Sequence, residues 1–123
     1  MDDEVRRALT RDRTIDITTI GRTSGQPRRI EMAFQNLDGA IYITGTPGRR
    51  DWYANLLAHP DFTFHVKQSA VADLAARATP ITDPETRGAI LTRILDKLGR
   101  SGDLDAWLAD SPLVSVAFPS PSD

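Results

Sequence analysis

The feature that most limits this chain is a set of short stretches in which apolar and polar residues alternate. Thr14-Ile15-Asp16-Ile17-Thr18-Thr19-Ile20 is the clearest of them. Its period of two and its β-branched content mark a half-buried strand. Ile30, Met32 and Phe34 then alternate with Glu31, Ala33 and Gln35, and Ile41-Tyr42-Ile43-Thr44 follows as a third strand. The connectors between them are Gly21 to Pro27, a loop, and Asn36-Leu37-Asp38-Gly39, a hairpin turn. Both are rich in turn residues and too short to hold a crossover helix, so these strands pair as antiparallel hairpins.

Further along, Thr46-Pro47-Gly48 is a break, and a short helix is expected from about Asp51 to His59. Its inward face is read as Tyr53, Leu56 and Leu57, and Pro60 stops it. Phe62, Phe64 and Val66 alternate with polar neighbours as a fourth strand; Val71 to Ala78 reads as a fifth, and Val114 to Phe118 as a last. Asp83-Pro84-Glu85 opens a helix, with an Asp cap, Pro at the first helical position and an early acid. It runs to about Leu98 with Ile90, Ile94 and Leu98 along one face, and Gly99 to Asp103 breaks it. Leu104 to Leu108 adds a turn or two, and residues 4–13 suit a short helix without a clear apolar stripe.

The order is β-β-β-α-β-β-α-β, a mainly β chain with flanking helices of the α+β class. About six strands in 123 residues hide their edges most simply by closing into a small barrel. A single domain over 1–123 is expected. A doubly wound nucleotide fold is disfavoured, because neither G-x-G-x-x-G nor G-x-x-x-x-G-K-[ST] occurs.

Composition closes off several kinds of chemistry. The chain has no cysteine, which excludes disulfides, thiolate catalysis and cysteine-ligated metals. His59 and His65 alone do not make a histidine-rich metal site, so no metal is expected. The acidic start, Met1-Asp2-Asp3-Glu4, is not a secretory signal, and no apolar run reaches bilayer-spanning length. A cytoplasmic protein without membrane insertion is expected, with a frayed tail from Pro119 to Asp123. The formal net charge of −2 argues against nucleic acid as a partner. Charge is uneven, however: five arginines (22, 28, 29, 49 and 50) stand against Glu31 and Asp38 between Ile17 and Arg50, a local +3. Such a patch suits an anionic small molecule, or is simply a solvated surface.

The richest segment is Thr18-Thr19-Ile20-Gly21-Arg22-Thr23-Ser24-Gly25-Gln26-Pro27-Arg28-Arg29. Its glycines allow a tight turn and close approach of a ligand. Thr23 and Ser24 offer hydroxyls; Arg22, Arg28 and Arg29 offer forked donors for phosphate or carboxylate. An anion cradle and a decorated hairpin loop both fit this composition. Thr44-Gly45-Thr46 leaves room for a flat ring beside a strand end, or is an ordinary turn. Trp52 and Tyr53 either line a ring pocket, with the Tyr53 phenol as proton donor, or pack in the core. His65 has no acid partner in the local sequence and reads as a surface or packed histidine. No serine elbow and no carboxylate pair supports hydrolysis.

These pieces, with Asp38-Gly39 and Tyr42, Asp51-Trp52-Tyr53-Ala54-Asn55-Leu56 and His59-Pro60, resemble the deazaflavin (F420)-dependent nitroreductase and quinone reductase family. The resemblance covers roughly residues 14–80. It implies a split β-barrel of the FMN-binding type, often a homodimer, holding coenzyme F420. It places Arg22, Ser24, Gly25, Arg28 and Arg29 at the phosphate and tail, with Thr23 in the same loop. The main chain of Thr44, Gly45 and Thr46 would meet the ring, and Trp52 and Asn55 would support the pocket. The implied activity is hydride transfer to a small organic acceptor: a quinone, an activated alkene or a nitro compound. Thr23 stands where the family commonly has Lys or Arg. The loop after Tyr42 is short, and Trp107 is the only aromatic residue between Phe64 and Phe118. FMN is the alternative cofactor, needing fewer cations, and a non-catalytic cofactor-binding protein is the alternative role. A lipid- or haem-binding barrel has only His65 in its favour.

Overall fold

The computed structural model of the protein describes residues 1–119. Four α-helices and seven strands follow in the order α1 (Asp3–Arg11), β1 (Thr14–Ile20), β2 (Pro27–Ala33), β3 (Gln35–Leu37), β4 (Ala40–Thr44), α2 (Asp51–Ala58), β5 (Asp61–Val66), β6 (Ala72–Pro80), α3 (Pro84–Leu98), α4 (Leu104–Asp110) and β7 (Leu113–Ala117). All pairings are antiparallel, in the order β2-β1-β5-β6-β7-β4-β3. The two outer strands, β2 and β3, are separated by Phe34 alone. One bent strand therefore pairs with β1 by its first half and with β4 by its second. This curls the sheet into the expected split barrel, six-stranded if the bent strand is counted once. The tail expected to fray lies outside the described residues beyond Pro119.

Alternation decides what fills the barrel. Ile15, Ile17 and Thr19 of β1, Phe62, Phe64 and Val66 of β5, and Ile41 and Ile43 of β4 are buried. Phe34 packs edge-on against Phe64, with ring centroids 5.7 Å apart. Helix α1 adds Val5, Ala8 and Leu9 at i, i+3, i+4 to this cluster, an apolar stripe the sequence reading missed among the charges. A second cluster joins Leu91, Ile94 and Leu95 of α3 to Leu37, Trp107 and Leu113, on the other face of the sheet from Ile41, Ile43 and Val114. Burial of each large side chain contributes about 1.5–3 kcal/mol.

Two helix faces differ from expectation by one position. In α2 the buried residues are Trp52, Asn55 and Leu56; Leu57 is 54% exposed and Tyr53 half-buried. In α3 the buried stripe is Leu91, Ile94 and Leu95, while Leu98 is exposed. Hydrophobicity alone cannot choose between such adjacent stripes; packing against the rest of the fold does. The ends of α3 are as read: the Asp83 carboxylate accepts from the Thr86 amide at 2.9 Å, and Gly99 caps the other end at φ 71°. The Asp38–Gly39 hairpin has both residues at positive φ, 54° and 95°.

Candidate functional site

Every residue of β2 except Met32 is exposed. Arg28, Ile30 and Met32 stand opposite Thr19, Ile17 and Ile15, so they share the inward face of the sheet. Ile30 is nevertheless 39% exposed, because the strand bends away at Phe34 and leaves the barrel open. A cavity of about 370 Å³ lies there, bounded by Arg28 and Ile30, the Arg22–Ser24 loop and the first turn of α2.

The loop is shaped by hydrogen bonds and one close contact. The Gly21 amide donates to the Gln26 carbonyl at 2.8 Å, and the Gly25 amide to the Gly21 carbonyl at 2.9 Å. The Gln26 amide donates to Ser24 Oγ at 3.1 Å. A Cβ at Gly21 would lie 2.4 Å from that oxygen, so residue 21 must be small for the turn to close in this form. Gly25 takes φ 68°, which a side chain disfavours.

Asn55 ties this loop to α2. Its side-chain oxygen accepts from the Arg22 amide at 3.0 Å and from the Arg22 guanidinium at 2.9 Å. Its amide nitrogen donates to Thr19 Oγ1 at 3.3 Å. The residue is 4% exposed, so these bonds replace water it has lost. Arg22 also pairs with Asp51 at 3.2 Å. Arg28, by contrast, borders the cavity with no side-chain partner among the described residues.

The structure thus brings Arg22, Thr23, Ser24, Arg28, Trp52 and Asn55 to one cavity, with Gly25 at the turn beside it. Arg29 is not among them. It stands opposite Thr18 on the outer face and pairs with Asp16 at 3.0 Å. The period of two that aims Arg28 inward aims its neighbour outward. Thr44, Gly45 and Thr46 do not border this cavity. Thr44 Oγ1 donates to the Pro112 carbonyl at 2.6 Å, and the Arg50 guanidinium donates to the Thr46 carbonyl at 2.9 Å. They form a seam between the start of α2 and the start of β7.

Tyr53 opens on a second cavity, of about 770 Å³. Its walls are the Pro47–Arg49 loop, the start of α3 and residues 108–112. Trp52 lines the first cavity and Tyr53 the second, their rings 6.0 Å apart, so the two sites flank the first turn of α2. The Arg87 guanidinium fixes the far wall by donating to the carbonyls of Ile81, Trp107, Leu108 and Ser111 at 2.9–3.1 Å. Sequence reasoning missed this groove, which joins segments about sixty residues apart.

His65 does have an acid partner. Strand pairing sets it opposite Asp73, and its Nδ1 lies 2.6 Å from that carboxylate, while Nε2 lies 2.7 Å from Thr18 Oγ1. The histidine contact holds the Asp73 carboxyl below its usual range. With both ring nitrogens engaged, His65 offers no free ligand to a haem iron. Beside it the Lys67 ammonium bridges Asp16 and Glu31, and lowers the Asp16 carboxyl. Among the described residues no cluster of three metal-ligating side chains occurs, and no helix is long and apolar enough to cross a membrane.

The chain is an open split barrel with a basic, glycine-turned cradle on its inner face. Residues 2–96 match the family described as F420H(2)-dependent quinone reductase, and the chain belongs to that family of oxidoreductases. Similar solved structures include an F420 reductase (19% identity, 98% of this chain and 97% of that one, TM-score 0.70). A conserved hypothetical protein from Mycobacterium tuberculosis aligns at 18% identity over 98% of this chain and 82% of that one, with TM-score 0.74. An FAD-binding protein from Mesorhizobium loti aligns at 15% identity over 98% and 91%, with TM-score 0.70. These likenesses establish the split-barrel fold. No curated protein matches the chain in sequence.

Proposed function

We propose that the protein is an F420H(2)-dependent reductase that passes a hydride to a small organic acceptor, a quinone, activated alkene or nitro compound. The observation that carries this reading is the Arg28 guanidinium, without a side-chain partner among the described residues, in a cavity bounded by the Arg22–Ser24 loop. The cradle fits an anionic phosphate, with Thr23 and Ser24 offering further hydroxyls. Arg22, already held by Asn55 and Asp51, keeps the loop in place and adds its charge. Bound F420H(2) supplies the hydride.

The chain's own groups orient, shield and protonate. Trp52 walls the cradle, and Asn55 fixes the distance between loop and helix. The Tyr53 phenol has no partner among the described residues and faces the second cavity, where it would supply the proton that accompanies the hydride. Thr44–Thr46 would support the ring from the seam between α2 and β7. In the same reading the protein works in the cytoplasm and as a homodimer; the exposed Ile30 supports the dimer, which sedimentation checks.

A second reading keeps the scaffold and takes FMN. With Thr23 neutral and Arg22 engaged, Arg28 is the one cation of the cradle without a partner among the described residues, which matches a single phosphate. Parallel titrations with F420 and FMN, followed by fluorescence and thermal shift, decide between them. Saturable F420 binding at micromolar or lower concentration with weak FMN binding supports the first reading. Preference for FMN overturns it, and binding of neither overturns both.

A further inference from the structure

The cradle lies wholly within residues 19–55, inside the segment that matches the family, whereas the second groove is half outside it. Its far wall, Leu108 to Pro112, follows the matched segment. Its lining is mainly apolar, with Pro47, Pro84, Leu108 and Pro112. Two guanidinium groups and one carboxylate, Asp110, border it. The Arg87 guanidinium is engaged by four backbone carbonyls. Arg49 has no side-chain partner among the described residues and projects from a loop pinned to α4, since the Gly48 amide donates to the Asp110 carbonyl at 3.0 Å. An apolar slot with a surplus positive charge and a free guanidinium at its mouth selects flat molecules that carry an anionic group.

We infer that this groove between the Pro47–Arg49 loop, Tyr53 and the Leu108–Pro112 wall is the acceptor site, and that Arg49 makes it specific for flat acceptors bearing an anionic substituent. The inference rests on the F420-reductase reading for its consequence in turnover. Binding in the groove stands apart from it. The apolar walls hold the ring of the acceptor, the Arg49 guanidinium pairs with its anionic group, and Tyr53 lies beside the ring on the α2 side. Arg49 is a specificity-determining residue, and its loss changes the choice of acceptor while leaving the cradle intact.

The test uses naphthoquinone and a naphthoquinone sulfonate, which share a ring and differ in charge. Binding of each to the full chain without cofactor is measured by calorimetry, and kcat and KM are measured with saturating F420H(2). The expected result is about tenfold tighter binding of the sulfonate at low salt, a preference that shrinks as salt rises. Arg49→Gln should abolish the preference by raising KM for the sulfonate, with kcat, F420 affinity and naphthoquinone binding retained. Equal binding of the two quinones, or a preference that survives in Arg49→Gln, overturns the inference. Failure of F420 to bind in the parallel fluorescence titration would overturn the cofactor reading instead, and calorimetry would still decide the groove.

Discussion

Arg28 and Arg29 are adjacent in sequence and face opposite sides of the same sheet, so their removal should separate cleanly. Arg28→Ala deletes a cation that has no side-chain partner among the described residues, and fold stability should stay within about 0.5 kcal/mol of the parent. The cofactor phosphate, however, loses a charge-assisted hydrogen bond that contributes about 1.5–3 kcal/mol. The cradle is open to water, so the low end applies: about 1.5 kcal/mol, or roughly a tenfold rise in Kd for F420. The dependence of Kd on salt should weaken as well, because one ionic contact is gone. Arg29→Ala removes the ion pair with Asp16 on the outer face and should leave F420 affinity within about twofold. Fluorescence titrations at two salt concentrations read all of this, with circular dichroism confirming that both variants are folded. If Arg29→Ala weakens binding as much as Arg28→Ala, or if neither does, the assignment of the cradle to the inner face of β2 is refuted.

Gly21→Ala should cost about 1 kcal/mol, because Ser24 Oγ must swing away and give up the Gln26 amide. In a Ser24→Ala background the same change should cost about nothing, a coupling of about 1 kcal/mol in denaturant unfolding; additive effects would contradict it. Arg87→Lys should destabilise by about 2 kcal/mol, since one ammonium cannot reach four carbonyls arranged for a guanidinium fork. Unchanged urea unfolding would count against that role. The carboxyls of Asp16, Asp73 and Asp83 are held below their usual range, chiefly by Lys67, by His65 and by the Thr86 amide respectively. Depressed carboxylates stabilise above the unfolded pKa of about 4, and that stabilisation is lost as pH falls through the folded values. Melting temperature should therefore drop below about pH 4, and Asp83→Ala should lower it at neutral pH and flatten the acid decline. A decline as steep as the parent's would refute the cap's share.

Much of this was legible before any coordinates. Alternation in Thr14–Ile20, the turn at Asp38-Gly39 and the cap at Asp83-Pro84 are local signals, and local signals fix elements. The barrel followed because short connectors leave few ways to pair such strands. What could not be read is the product of pairing between distant segments. Arg29 looked like part of the anion cradle because a loop motif has no parity; only its extension into β2 assigns it a face. His65 looked solitary because Asp73 meets it across a strand pair. The groove beside Tyr53 was invisible because Arg49 and Ser111 come together only when β4 pairs with β7.

The central claim is that the chain turns its cofactor over, beyond merely holding it. The most direct measurement mixes protein loaded with F420H(2) with excess acceptor under anaerobic conditions and follows the return of oxidised-cofactor absorbance by stopped flow. The account predicts rapid reoxidation, one acceptor reduced per cofactor, slowed in Tyr53→Phe and absent without protein. Tight binding with reoxidation no faster than in buffer would contradict it and leave a cofactor-holding barrel.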